Sequence, residues 1–181
     1  MDFRKSERGA KARVLQKQKG QKKVNWSHGV WKRQNIPRQS FILWTAVQDR
    51  LRTRSRMKKI NVISDDCCLL YSSQPETKAH LFFSCSFSSQ CLLQIKSWLH
   101  WKVETMDLDA ILRWIERSKA GRFRKSLWFA VIASAVYQIW KTRNLLLWES
   151  KEPRVNEVAR SIKEEAINHE TAGEGIELRN P

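Results

Sequence analysis

The chain has 181 residues, 41% of them hydrophobic and nine of them tryptophan, which suits one ordinary domain with tails and excludes full disorder. Its formal net charge is +16, and the natural complement of such a charge is a densely anionic partner, most simply nucleic acid. Met1 to Val24 is charged almost throughout and lacks an apolar leader, so the four cysteines are expected to stay reduced, as ligands or core residues, in an intracellular protein of nucleus or cytoplasm.

The basicity is uneven. Residues 1–24 carry nine Lys/Arg against two acids, residues 25–60 nine against one, and the remainder sixteen against fifteen. Residues 1–24 therefore read as a disordered basic arm, able to dock phosphates through counterion release. A nuclear-import patch, or an extension with no selected role, is the alternative for this arm. Asn25-Trp26-Ser27 has the form of a glycosylation sequon, which means nothing without secretion.

Six glycines and four prolines are few, and favour long helices over strands and turns. The fold class expected is mainly α, a small helical domain over residues 25–150 with a short zinc-knuckle loop, followed by a charged tail over 151–181. Trp26 and Trp31 open the domain. Pro37 suits a first helical turn, and Phe41, Trp44, Val47 and Leu51 then recur at helical spacing as an expected core stripe. A second short helix, with Thr53 as N-cap, is expected over Arg54 to Ile60. Arg50, Arg52, Arg54, Arg56, Lys58 and Lys59 straddle the junction. So many cations cannot all bury, and arginine's planar fork suits phosphate oxygens, so these six are the candidate nucleic-acid-binding residues. The alternative is a solvated turn whose cations cap helix carbonyls.

Asn61 to Asp66 has some strand character at Val62-Ile63. Then comes DDCCLLYSSQPETKAHLFFSCSF, residues 65–87, with three of the four cysteines. Cys68, followed after eleven residues by His80 and then by Cys85, is the layout of a small zinc site. A C-x-x-C knuckle would need a thiol at position 71, where Tyr71 stands. The candidate metal ligands are thus Cys68, His80 and Cys85, with Cys91 or Cys67 as improvised fourth donors and zinc as the expected cofactor. Leu81, Phe82 and Phe83 would back the site, two of the three buried. Without metal the same thiols would pack as small hydrophobes.

Further helices are expected over Phe87 to Trp101, over Asp107 to Arg117 and over Arg122 to Glu149. In the last, Leu127 to Trp140 is apolar nearly all round. Fourteen such residues fall short of the roughly 20 that span a bilayer, so a buried central helix is expected and no membrane partner. Arg154 to His169 reads as a charged helix with weak packing, before a frayed end.

These residues look familiar as a set. Ile36 to Met57 (IPRQSFILWTAVQDRLRTRSRM), Cys68 and Glu76 to Ser88 (ETKAHLFFSCSFS) resemble the zinc-binding domain that follows the reverse transcriptase in plant LINE-type (non-LTR) retrotransposons. VYQIWKTRN, Val136 to Asn144, resembles a segment downstream of the finger in the same elements. The family pattern is C-x-x-C followed by H-x4-C. Cys68, His80 and Cys85 match it, and Tyr71 replaces the second cysteine. The resemblance implies zinc, and a finger that helps hold template RNA or target DNA for a polymerase.

It also leaves out the catalytic part of such an element. Polymerases and nucleases need clustered carboxylates for two divalent metals, and Asp65-Asp66 lacks the hydrophobic strand and hairpin around a reverse transcriptase's aspartates. No P-loop, G-x-S-x-G or H-E-x-x-H motif is present. The chain is therefore expected to be no enzyme, with no small-molecule substrate. The other class of function is a helical protein-interaction module, partnered through tryptophan-rich helices, or a vestigial fragment without metal.

Overall fold

The computed structural model describes residues 36–71 and 74–177, with side chains through residue 168. The basic arm, Trp26 and Trp31 lie outside the described residues. Among the described residues six α-helices follow one another: α1 Pro37–Val47, α2 Arg54–Lys59, α3 Ser86–Trp98, α4 Leu108–Arg117, α5 Arg122–Glu149 and α6 Val155–Glu177. A tight turn, His80–Ser84, precedes α3. Among the described residues the only β pairing is an isolated antiparallel bridge between Cys67 and Pro75. The strand character expected at Val62-Ile63 is not realised. Val62 is 57% exposed, and an apolar pair without a partner strand has no ladder to join.

α5 is the axle of the fold. Phe129 through Val136, with Ile139, are buried, and the helix is flanked by α1, α4 and α6. A helix apolar all round belongs inside a protein when neighbours cover every side, and no described helix is long and apolar enough to cross a membrane. α3 packs against α6 and against the turn that precedes it. Trp101, Trp114 and Trp128 meet at ring-centroid distances of 5.2–5.8 Å and close one end of the core. Asp107 caps α4 by accepting the Ala110 N–H at 2.7 Å, the usual role of an N-cap carboxylate.

Two expectations are corrected here. The buried face of α1 is Gln39, Ser40, Leu43 and Ala46. Phe41, expected inside, is 53% exposed, Trp44 and Val47 are only half-buried, and Leu51 alone of the expected stripe is buried. Small side chains at positions 40 and 46 let α1 lie close on α5. The amide of Gln39 is satisfied there by the Glu165 carboxylate at 2.6 Å, so burying it carries no unpaired polar group.

The second correction concerns α6, expected to pack weakly. Val158, Ala159, Ile162 and Ala166 are buried, and the helix closes the core against α3 and α5. Its Glu165 accepts from Gln39 of α1 and from Ser134 and Gln138 of α5, tying three helices with one carboxylate.

Candidate metal centre

The loop that carries Cys68 is held shut at its neck. Cys68 N–H donates to the Gln74 carbonyl at 2.8 Å and Glu76 N–H to the Asp66 carbonyl at 2.7 Å. Within it, the backbone N–H groups of Leu70 and Tyr71 point at the Cys68 sulfur. His80 begins the tight turn, its N–H held by Thr77 Oγ1 at 3.1 Å. The chain then kinks through Phe82 and Phe83, the latter at φ 85°, a conformation that costs a bulky residue of order 1–3 kcal/mol. Ser88 secures the kink by accepting the Phe83 N–H at 3.0 Å and donating to the Cys85 carbonyl at 3.2 Å. All three of Leu81, Phe82 and Phe83 are at most 1% exposed, one more than expected. Burial of both aromatic rings offsets the backbone strain. Cys85 is the N-cap of α3, with the N–H groups of Phe87 and Ser88 directed at its sulfur.

These elements bring the three sequence-predicted ligands together. The candidate donor atoms of Cys68, His80 and Cys85 all lie within 4.8 Å of one another, and all three residues are buried. The two sulfurs are 4.0 Å apart. Zinc with Zn–S bonds of about 2.3 Å would set tetrahedral sulfurs about 3.8 Å apart. Neither ring nitrogen of His80 has a hydrogen-bond partner, although both are buried. An imidazole with two orphaned nitrogens is costly in a core, and a metal ion at one of them removes half the problem. The donor set therefore fits zinc, and the cluster could hold a metal ion.

The electrostatics agree. The Cys68 thiol donates to Cys85, which lowers the Cys85 pKa to about 6. The same contact and burial push the Cys68 thiol well above its ordinary value. One proton is thus shared by two sulfurs poised for thiolate chemistry. Neither proposed fourth donor joins the cluster. Cys67 is exposed. Cys91 is fully buried, burial raises its thiol to about 12, and it lies outside the group of three donors. Tyr71 is 52% exposed.

Glu76 and Arg143, given no site role by sequence reasoning, frame the centre. Glu76 is completely buried, and Arg143 is 4% exposed. The guanidinium holds the carboxylate through contacts of 2.8, 3.1 and 3.2 Å and lies over the Trp140 ring at 5.2 Å. The carboxylate also accepts the N–H groups of Arg54 at 3.0 Å and Leu69 at 3.5 Å. It replaces Thr53, whose side chain makes no cap, at the start of α2. One acid therefore joins α2, the Cys68 loop and α5.

The six basic candidates separate into two groups. Arg54 is paired with Asp65 and Lys58 with Asp66, each at 2.7 Å. The N–H of Cys67 and then Arg54 keep the Asp65 carboxyl below its usual value, and Lys58 does the same for Asp66. Arg50, Arg52, Arg56 and Lys59 are exposed. Arg56 donates to the Asp49 carbonyl, and Arg50 lies over the Trp44 ring at 5.6 Å.

Compared with known proteins, the chain matches no curated protein and no solved structure. Residues 12–91 match the family model described as zinc-binding in reverse transcriptase, and Cys68, His80 and Cys85 all fall within that match.

Proposed function

We propose that the chain is a non-catalytic nucleic-acid-binding module derived from a plant LINE-type retroelement, acting in the nucleus or cytoplasm. Zinc held by Cys68, His80 and Cys85 has a structural role, stapling the Cys68 loop to the turn before α3. The observation that carries the reading is the sorting of charge around α2. Arg54 and Lys58 are paired with Asp65 and Asp66, while Arg50, Arg52, Arg56 and Lys59 are exposed outside those pairs at the corner next to the centre. Exposed cations of this kind contact phosphates and release counterions.

The test is binding of labelled RNA and DNA at several salt concentrations. Affinity is expected to fall steeply with salt, and each of Arg52→Ser and Lys59→Ser to reduce the slope of log affinity against log salt by about 1. Affinity that does not change with salt would sink the reading in favour of a protein-interaction module.

A further inference from the structure

The outward face of α1 adjoins a basic groove, and the two together have the parts of a single-strand site. Phe41 is 53% exposed, with its ring centroid 6.3 Å from that of half-buried Trp44 at a tilt of 33°. Arg50 lies over the same indole at 5.6 Å. Aromatic faces beside a guanidinium are the elements on which unpaired bases stack. The chain turns at Asp49, which has φ 51°, and Arg56 grips the Asp49 carbonyl. Beyond that grip a groove of about 340 Å³ is lined by Arg56, Lys59, Lys78, Ser55 and Thr77, with Asp49 as its one carboxylate. Lys78 is tied to Asp109 at 2.7 Å, so the available charge comes from Arg56 and Lys59. Hydroxyls and cations in a concave site suit phosphate oxygens.

Resting on the proposed function, we infer that this corner binds single-stranded nucleic acid, with bases stacked on Phe41 and Trp44 and the backbone led into the groove by Arg56 and Lys59. Charge complementarity selects this occupant over an apolar protein partner. The corner holds four exposed cations outside the ion pairs with Asp65 and Asp66, Arg50, Arg52, Arg56 and Lys59, and Arg50 lies against the aromatic face. Duplex bases are already stacked and offer no free face, so the platform discriminates by strandedness.

The test uses the full chain and a mixed-sequence 20-mer as single-stranded RNA, as single-stranded DNA and as DNA duplex. Phe41→Ala and Trp44→Leu are compared with wild type, after circular dichroism has confirmed the fold. Phe41 is exposed enough that its truncation leaves the core intact, so that variant alone suffices if Trp44→Leu misfolds. The expected result is a roughly 5- to 100-fold loss of single-strand affinity, an unchanged salt slope and unchanged duplex affinity. The two single strands tell which sugar is preferred. Variants that bind single strands as wild type does, while wild type keeps its salt dependence, overturn this inference and leave the proposed function standing. Unchanged oligonucleotide binding with lost self-association in sedimentation would assign the face to protein, and overturn it too. No salt-dependent binding by wild type removes both readings.

Discussion

Replacing Arg143 by Met tests whether the buried ion pair is a structural pivot. Arg143→Met keeps most of the aliphatic volume and removes the guanidinium, stranding a Glu76 carboxylate that is completely buried. Three contacts, at 2.8, 3.1 and 3.2 Å, are lost. The N–H groups of Arg54 and Leu69 remain and soften the penalty. Breaking one side of a buried pair costs about 3–5 kcal/mol, and two surviving donors place the expected loss near 3 kcal/mol. For a chain of this size that is a drop of about 6–12 °C in Tm. Urea unfolding followed by circular dichroism gives the free energy directly, with an unchanged m-value expected. In a double-mutant cycle with Glu76→Gln, the combined loss should fall short of the sum by at least about 1 kcal/mol. Glu76 also steadies the Cys68 loop, so zinc affinity in Arg143→Met should drop by about tenfold. A loss under about 1 kcal/mol, or strict additivity, would refute the pivot.

Five further outcomes are expected. Protein purified without chelator should carry about one zinc per chain and Cys85→Ser none, by metal analysis. Zinc must displace the Cys68 proton near neutrality and the Cys85 proton as well below about 6, so affinity should rise with pH, most steeply at the acid end. In metal-free protein the depressed Cys85 thiol adds stability above its unfolded value of 9.0, and that stability is lost as pH falls towards about 6. Raised Cys68 acts oppositely above 9.0, so urea titrations should show stability climbing between those limits and then declining. Asp107→Ala, which removes the α4 cap at 2.7 Å, should cost about 1 kcal/mol. Glu165→Ala leaves the donors of Gln39, Ser134 and Gln138 without their carboxylate and should cost about 2–3 kcal/mol in the same assay.

The clustering of the three candidate ligands was legible from spacing because a zinc site asks for a local pattern along the chain. The limits of the helix Arg122–Glu149 were legible too, since a long apolar run bounded by charge has few other solutions. Local periodicity could not decide which face of α1 is buried. Phe41-Trp44-Val47 and Gln39-Leu43-Ala46 both recur at helical spacing, and the choice was made by Glu165, 126 residues away. Glu76 stood inside the recognised motif, but its partner lies 67 residues downstream. Burial of such a charge is visible only once both ends are in place. α6 looked weakly packed because its charged residues dominate the composition, while four small or β-branched side chains suffice to seal it.

The stretch that matches the family model stops at residue 91, within α3, Ser86–Trp98. Its first described helix rests on α5, and α3 itself leans on α6. The segment that matches the family model is thus smaller than the piece that folds. Cutting the gene at residue 91 would retain every candidate zinc ligand, yet it would bare Leu43, Ala46 and Cys91 and leave Glu76 without Arg143. The matched stretch and the physical body therefore have different edges, and a transplant of the candidate metal centre to another protein must carry residues through at least Ala166 to bring its foundations along.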